Sequence, residues 1–161
     1  MTIQEPQQQS LPVRTKVFIS YSHVHKKKWL QRLKMYLEPL GQENIIDVWD
    51  DTQIGVGAKW REEIEKALAT TKIAILLVSA EFVNSKFIRE NELPPLLEAA
   101  RNDGLIIIPV IVNPCRLEYM NLGELQALNP PSRSLLTMRE IQWRELFLNL
   151  SYSIEKTIKS N

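Results

Sequence analysis

At 161 residues the chain is long enough for one domain with a substantial core and little more. Apolar residues make up 44% and charged residues 24%, which excludes a disordered chain. The formal net charge of +1 excludes a global field that would gather nucleic acid or an anionic membrane.

In chain order, residues 1–15 are rich in Gln and Pro with little to bury, and read as a disordered leader ahead of a domain over 16–161. They contain no apolar core of signal-peptide length, and no later run reaches the roughly 18 apolar residues of a membrane span, so cytoplasmic residence is expected. Lys16-Val-Phe-Ile-Ser20 is a compact strand ended by Tyr21-Ser22-His23. A helix follows from about Val24 to Leu40, its sheet-facing stripe formed by Trp29, Leu33, Tyr36 or Leu37, and Leu40, with Gly41 as its stop. Lys26-Lys27-Lys28 on that helix reads as a solvated face. Ile45 to Trp49 is a second strand. A polar loop with Gly55 and Gly57 leads from it into a helix burying Trp60, Ile64, Ala67 and Leu68.

Ile73 to Val78 is a continuous branched apolar run, the pattern of a strand buried on both faces of a parallel sheet. A polar loop with Ser79, Asn84 and Ser85 then leads to a helical segment carrying Glu90 and Glu92. Those two carboxylates lie just past the C-terminal end of a central strand, the edge at which open α/β sheets bind ligands. Pro94-Pro95 predicts a break or kink directly after Glu92-Leu93, with Pro94 or Pro95 opening a second helical piece that ends near Asn102 and Gly104. Leu105 to Val112 is a fourth strand, and Pro109 inside it argues for a bulge or an unpaired edge. Residues 113–134 read as a long loop, and the single cysteine in it, Cys115, as a small buried or loop residue, which leaves no disulfide and no Cys-based zinc cage. A final helix over Arg139 to Lys159 carries Ile141, Leu146, Phe147, Leu150, Ile154 and Ile158 as its stripe. Alternating strands and helices imply a doubly wound, mostly parallel sheet of four to five strands with helices on both faces.

Several of these pieces together resemble one family. Lys16-Val-Phe-Ile-Ser-Tyr-Ser22 resembles the first signature box of Toll/interleukin-1 receptor (TIR) domains. Asp50 to Trp60 is similar to their loop between second strand and second helix, the BB loop. Ile75-Leu-Leu-Val-Ser79, Ser85-Lys-Phe-Ile followed by Glu92-Leu93, and Ile108-Pro-Val-Ile resemble the third strand, its following helix and the fourth strand of bacterial TIR domains. The resemblance covers about Lys16 to Lys159 and implies a flavodoxin-like TIR fold.

It also implies function. TIR domains either assemble as signalling adaptors or, in many bacterial and plant members, cleave NAD. The expected activity is that of an NAD+ glycohydrolase or cyclase in bacterial signalling or defence, with NAD as substrate, no cofactor and no metal. The alternative is a non-catalytic TIR–TIR interaction module. Glu92 corresponds to the essential carboxylate, with Glu90 as runner-up. Tyr21, Ser22, His23, Trp49, Asp50, Phe87 and Ile88 are the expected substrate-binding residues. Enzymatic relatives often carry Trp four residues before the catalytic Glu; here that position is Ile88, and the aromatic, Phe87, is displaced by one. Ile54, Gly55, Val56 and Gly57 of the BB loop are expected to mediate self-association. Trp60 is read as core, Trp49 as bordering the nucleotide. An Asp50–Asp51 metal or phosphoacceptor pair is rejected, because receivers of similar topology carry their acidic pair after the first strand. A Rossmann fingerprint at Gly55–Gly57 fails for want of a third glycine.

Overall fold

The computed structural model describes residues 14–54, 59–122 and 124–160. Four strands, β1 (Lys16–Tyr21), β2 (Asp47–Trp49), β3 (Thr71–Val78) and β4 (Ile106–Ile111), form an all-parallel sheet in the order β2-β1-β3-β4. The two central strands are almost wholly buried, which is why Ile73–Val78 of β3 reads as an unbroken apolar run rather than an alternating one. Between them the chain reverses its direction of winding. After β1 it passes outward to β2, then crosses back to lay β3 on the other side of β1. Such a reversal opens a crevice between the C-terminal ends of β1 and β3.

The helices are α1 (Gln31–Gln42), α2 (Trp60–Leu68), α3 (Ala80–Asn84), α4 (Leu93–Asn102) and α5 (Glu140–Lys159). They divide between two cores. Val17, Ile19 and Tyr21 of β1 pack with Leu33 and Leu37 of α1 and Phe147, Leu150 and Ile154 of α5. Phe18, one residue out of phase, turns to the opposite face with Ile64 of α2, Phe82 of α3 and Leu96 of α4. The doubly wound reading of the sequence therefore describes the fold.

Local departures have local causes. The first helix opens not as one α-helix from Val24 but through a tight turn, His23–His25, and a wide turn, Lys26–Leu30, before α1 begins. It runs through Gly41, with Pro39 inside it, and the left-handed residue that follows is Asn44, φ 57°. The strand expected over Ile45–Trp49 is only three residues long, Asp47–Trp49, at the sheet edge. Ser79 is not a loop residue but the N-cap of α3, accepting from the Phe82 N–H at 3.0 Å. On α5, Ile141 is exposed and Trp143 is buried instead, so the stripe begins two residues later than its periodicity suggested.

Pro109 sits on an edge strand, as its missing donor requires. It pairs in register with Leu76, yet its carbonyl points away from β3 and accepts from Leu128 N at 2.8 Å. Two residues on, Ile111 faces the same way and is closed off by a buried side chain. Asn129 Oδ1 accepts from Ile111 N, and its Nδ2 donates to Ile111 O and Arg133 O, each at 2.9 Å. One asparagine thus covers the edge that would otherwise offer free backbone groups to another strand. Asn129→Leu, which keeps the volume but strands these three backbone groups, should cost about 3 kcal/mol. For a domain of this length a thermal melt followed by circular dichroism should fall by about 6–12 °C. A fall of under about 2 °C would show that water takes over the bonds.

Candidate functional site

Pro94 and Pro95 determine how the acidic segment is presented. Neither can donate to the carbonyl four residues earlier, so a regular α-helix cannot pass through them. The chain does not break, however. Residues Ile88–Glu92 form a wide, π-type turn in which the Leu93 N–H reaches back five residues to Ile88 O, and α4 starts directly after it. On this turn Ile88 and Glu92 are buried while Glu90 is exposed. The two glutamates therefore separate cleanly: Glu92 faces the sheet and Glu90 faces solvent.

Glu92 is 3% exposed. Its Oε2 accepts a hydrogen bond from Ser20 Oγ at 2.5 Å, 72 residues away in sequence. Ser20 lies on β1 in phase with Phe18, which is how its side chain comes to the face covered by α2–α4. Burial pushes the Glu92 carboxyl up to about 7; the Ser20 hydroxyl opposes that rise and the nearby Asp51 charge adds to it. Around neutrality this carboxyl is poised between its two forms, the condition of a working acid or base.

A cleft of about 320 Å³ opens above it at the β1–β3 reversal. The end of β1 contributes Tyr21, Ser22 and His23, and the segment after β3 contributes Ser85, Phe87, Ile88 and Glu92. Asp51 and Trp60, from either side of the loop after β2, complete it. Tyr21 Oη donates to Asp51 Oδ1 at 2.7 Å, and His23 Nε2 lies 3.2 Å from Asp51 Oδ2. The phenol is pushed above its usual range, by burial first and then by its bond to Asp51, so it remains a neutral donor.

Six of the nine expected catalytic and substrate-binding residues meet in this cleft: Glu92, Tyr21, Ser22, His23, Phe87 and Ile88. Three do not. Glu90 is exposed, for the reason just given. Asp50 is fully buried, and its carboxylate turns back to the Thr52 N–H at 2.9 Å and to Lys34 Nζ at 2.5 Å. Burial alone would raise its pKa, but these two partners outweigh it and hold the group below its usual value. That turn leaves its neighbour Asp51 to face the cleft. Trp49 stacks on Phe18, its register partner on β1, with ring centroids 5.0 Å apart, and so packs against the core. Trp60, expected in the core, is 41% exposed and stands at the mouth of the cleft. Of the expected self-association residues, Ile54 is half-buried against the α2–α4 core, while Gly55, Val56 and Gly57 lie outside the described residues.

Ser20, Asp51, Trp60 and Ser85 are the site residues missed from sequence. For Ser20 a signal was present: a lone hydroxyl inside an apolar strand run, on a buried face, must find a partner there.

Together these features define a parallel α/β domain with a titrating carboxylate at its switch point. A profile described as the TIR domain matches residues 17–147. The chain belongs to the TIR domain family. It is 28% identical over 140 residues to the uncharacterised protein y4lF of Sinorhizobium fredii; the match takes in 87% of this chain but 42% of that protein, so the chain spans less than half of its relative. Among solved structures it resembles the TIR domain of the Toll-related receptor TRR-2 of Hydra magnipapillata, with 19% identity, TM-score 0.61, and 86% and 96% of the two chains covered. It also resembles the TIR domains of the activated Roq1 resistosome that recognises the effector XopQ, with 20% identity, TM-score 0.52, and 91% and 96% covered. Among the described residues no helix is long and apolar enough to cross a membrane.

Proposed function

We propose that this TIR domain is an NAD+ glycohydrolase or cyclase, with Glu92 as its catalytic carboxylate. The observation that carries this is the buried Glu92–Ser20 pair at the floor of a cleft of about 320 Å³, at the sheet edge where α/β folds bind ligands. In NAD+ the bond from ribose C1′ to the pyridinium nitrogen breaks heterolytically. The electron pair leaves on the nitrogen, so nicotinamide departs neutral and needs no general acid. Positive charge develops on the ribose as an oxocarbenium ion, as in other glycosidic cleavages. An ionised Glu92 stabilises that charge and accepts a hydrogen bond from a ribose hydroxyl, and Ser20 holds one of its oxygens in place. The cation is then captured by water, whose proton passes to solvent, giving ADP-ribose; capture by an adenine nitrogen of the same molecule gives the cyclic product.

Tyr21 and Asp51 form a fixed polar rim whose carboxylate can accept from ribose hydroxyls. We propose further that a neighbouring copy contributes its loop after β2, so that activity depends on assembly; one of the similar folds is itself part of an activated multi-chain assembly. The second reading is a TIR–TIR interaction module without chemistry. It is favoured by one feature: the position four residues before Glu92 is the buried aliphatic Ile88.

The deciding experiment is nicotinamide release from NAD by concentrated protein, with and without a crowding agent that promotes assembly. Release above the buffer rate is the expected result. A folded, assembled sample that releases none would exclude the glycohydrolase and leave the interaction module.

A further inference from the structure

Trp60 opens α2 and Phe87 precedes the wide turn bearing Glu92; both line the cleft. Their rings meet edge to face, with centroids 4.8 Å apart and planes at 73°. The chain has four tryptophans. Trp29 and Trp143 are buried at 3% and 4% exposure beneath α1 and α5, and Trp49 is stacked on Phe18. Trp60 alone of the four shows a large exposed surface, and does so at the lip of a cavity with a carboxylate at its floor. An indole gains nothing from water at that place, whereas small-molecule sites are lined by aromatic faces with few, well-placed polar groups. The edge-on contact with Phe87 fixes the pitch of the indole ring and leaves part of the ring surface uncovered.

We infer that Trp60, backed by Phe87, is the aromatic wall against which the planar nicotinamide ring of the substrate stacks, and is a specificity-determining residue of this site. The assignment rests on the glycohydrolase reading above and extends it by fixing which end of the dinucleotide enters. A cleft of about 320 Å³ is at the small end of ligand pockets and takes one half of a dinucleotide rather than the whole. The half that must lie beside Glu92 is the one whose ribose bond breaks. A pyridinium ring is planar and cationic, so it is attracted to an indole face both by stacking and by the ring quadrupole. The position four residues before Glu92, filled here by Ile88, needs no aromatic when the wall is built from α2 instead.

The test uses the intrinsic fluorescence of Trp60 together with kinetics. In Glu92→Gln protein, whose turnover should be too slow to consume NAD during a titration, NAD should quench tryptophan emission, and most of that quench should vanish when Trp60→Phe is added. ADP-ribose, which lacks the nicotinamide ring, should not quench. In the otherwise unaltered chain, Trp60→Ala should raise KM for NAD by about 10-fold with kcat changed by less than about threefold, as expected for one stacked base, and Trp60→Phe should recover most of that loss. Because Trp60 lies at the start of its helix and outside both cores, the alanine variant should fold. Unchanged KM in Trp60→Ala with normal cleavage would overturn the wall and leave the glycohydrolase standing. Equal quenching by ADP-ribose would place the other half of the substrate there and also overturn it. Quenching that depends on Trp60 without any cleavage would sink the reaction but keep the wall, and neither quenching nor cleavage would remove both.

Discussion

Glu92→Gln should lower nicotinamide release by about 10²–10³-fold while leaving the fold intact, the loss typical of removing one preorganised electrostatic group. Glutamine keeps the volume and can still accept from Ser20, so the floor of the cleft keeps its shape. What it lacks is the charge that balances the ribose cation. Glu90→Gln on the same turn should change the rate by less than about threefold, because its side chain faces solvent and cannot reach the cleft. Ser20→Ala separates positioning from charge. The serine hydroxyl favours the ionised form of Glu92, so without it the carboxyl titrates at still higher pH. The alanine variant should therefore be slow near pH 7 and recover as pH rises above 8, with the kcat/KM profile displaced to the alkaline side. A uniform loss at every pH would mean that Ser20 acts through packing alone. Full activity in Glu92→Gln would move the chemistry elsewhere in the cleft.

The sequence revealed the floor of this site better than its walls. Glu92 could be placed from the end of an apolar strand run, and the paired prolines behind it announced a departure from regular helix. What could not be read was which departure. Proline demands that two carbonyls go without α-helical donors, and either a break or a wider turn meets that demand. The wider turn prevailed here because Leu93 N–H still finds Ile88 O. The tryptophans show the opposite failure. Trp49 and Trp60 both flank the same polar loop, and only the three-dimensional register distinguishes them. Phe18 lies directly opposite Trp49 across the β1–β2 pair and captures it, whereas Trp60 meets Phe87 at the cleft. Asp50 and Asp51 are separated by a similarly local event, the turn of one carboxylate back onto Thr52 and Lys34. The doubly wound parallel sheet followed from patterning; the choice between adjacent residues at the rim depended on single contacts that patterning does not encode.

Ionisation of Glu92 should drive stability and activity in opposite directions. In the unfolded chain this carboxyl titrates near 4.5, and in the folded protein burial raises it to about 7. The folded state therefore holds its proton more tightly. The stabilisation this represents is fully present below about pH 4.5 and is lost progressively as pH rises towards 7, by an amount on the order of 3 kcal/mol. Glu92→Gln cannot lose a proton, so it should match the parent chain at pH 4.5 and be more stable above pH 7 by that order. Urea melts of both proteins at pH 4.5, 6 and 8 measure the difference, and groups such as Asp50 and Glu81, whose carboxylates are held below the usual range, cancel because both chains carry them. Over the same interval kcat/KM for NAD should climb with an apparent pKa near 7, since only the ionised form stabilises the ribose cation. A stability gap between variant and parent that stays constant from pH 4.5 to 8 would mean that Glu92 is already ionised throughout, with water or a neighbour solvating it. A gap that opens with pH while activity rises beside it would show that the buried charge destabilising the fold is the same charge that performs the reaction.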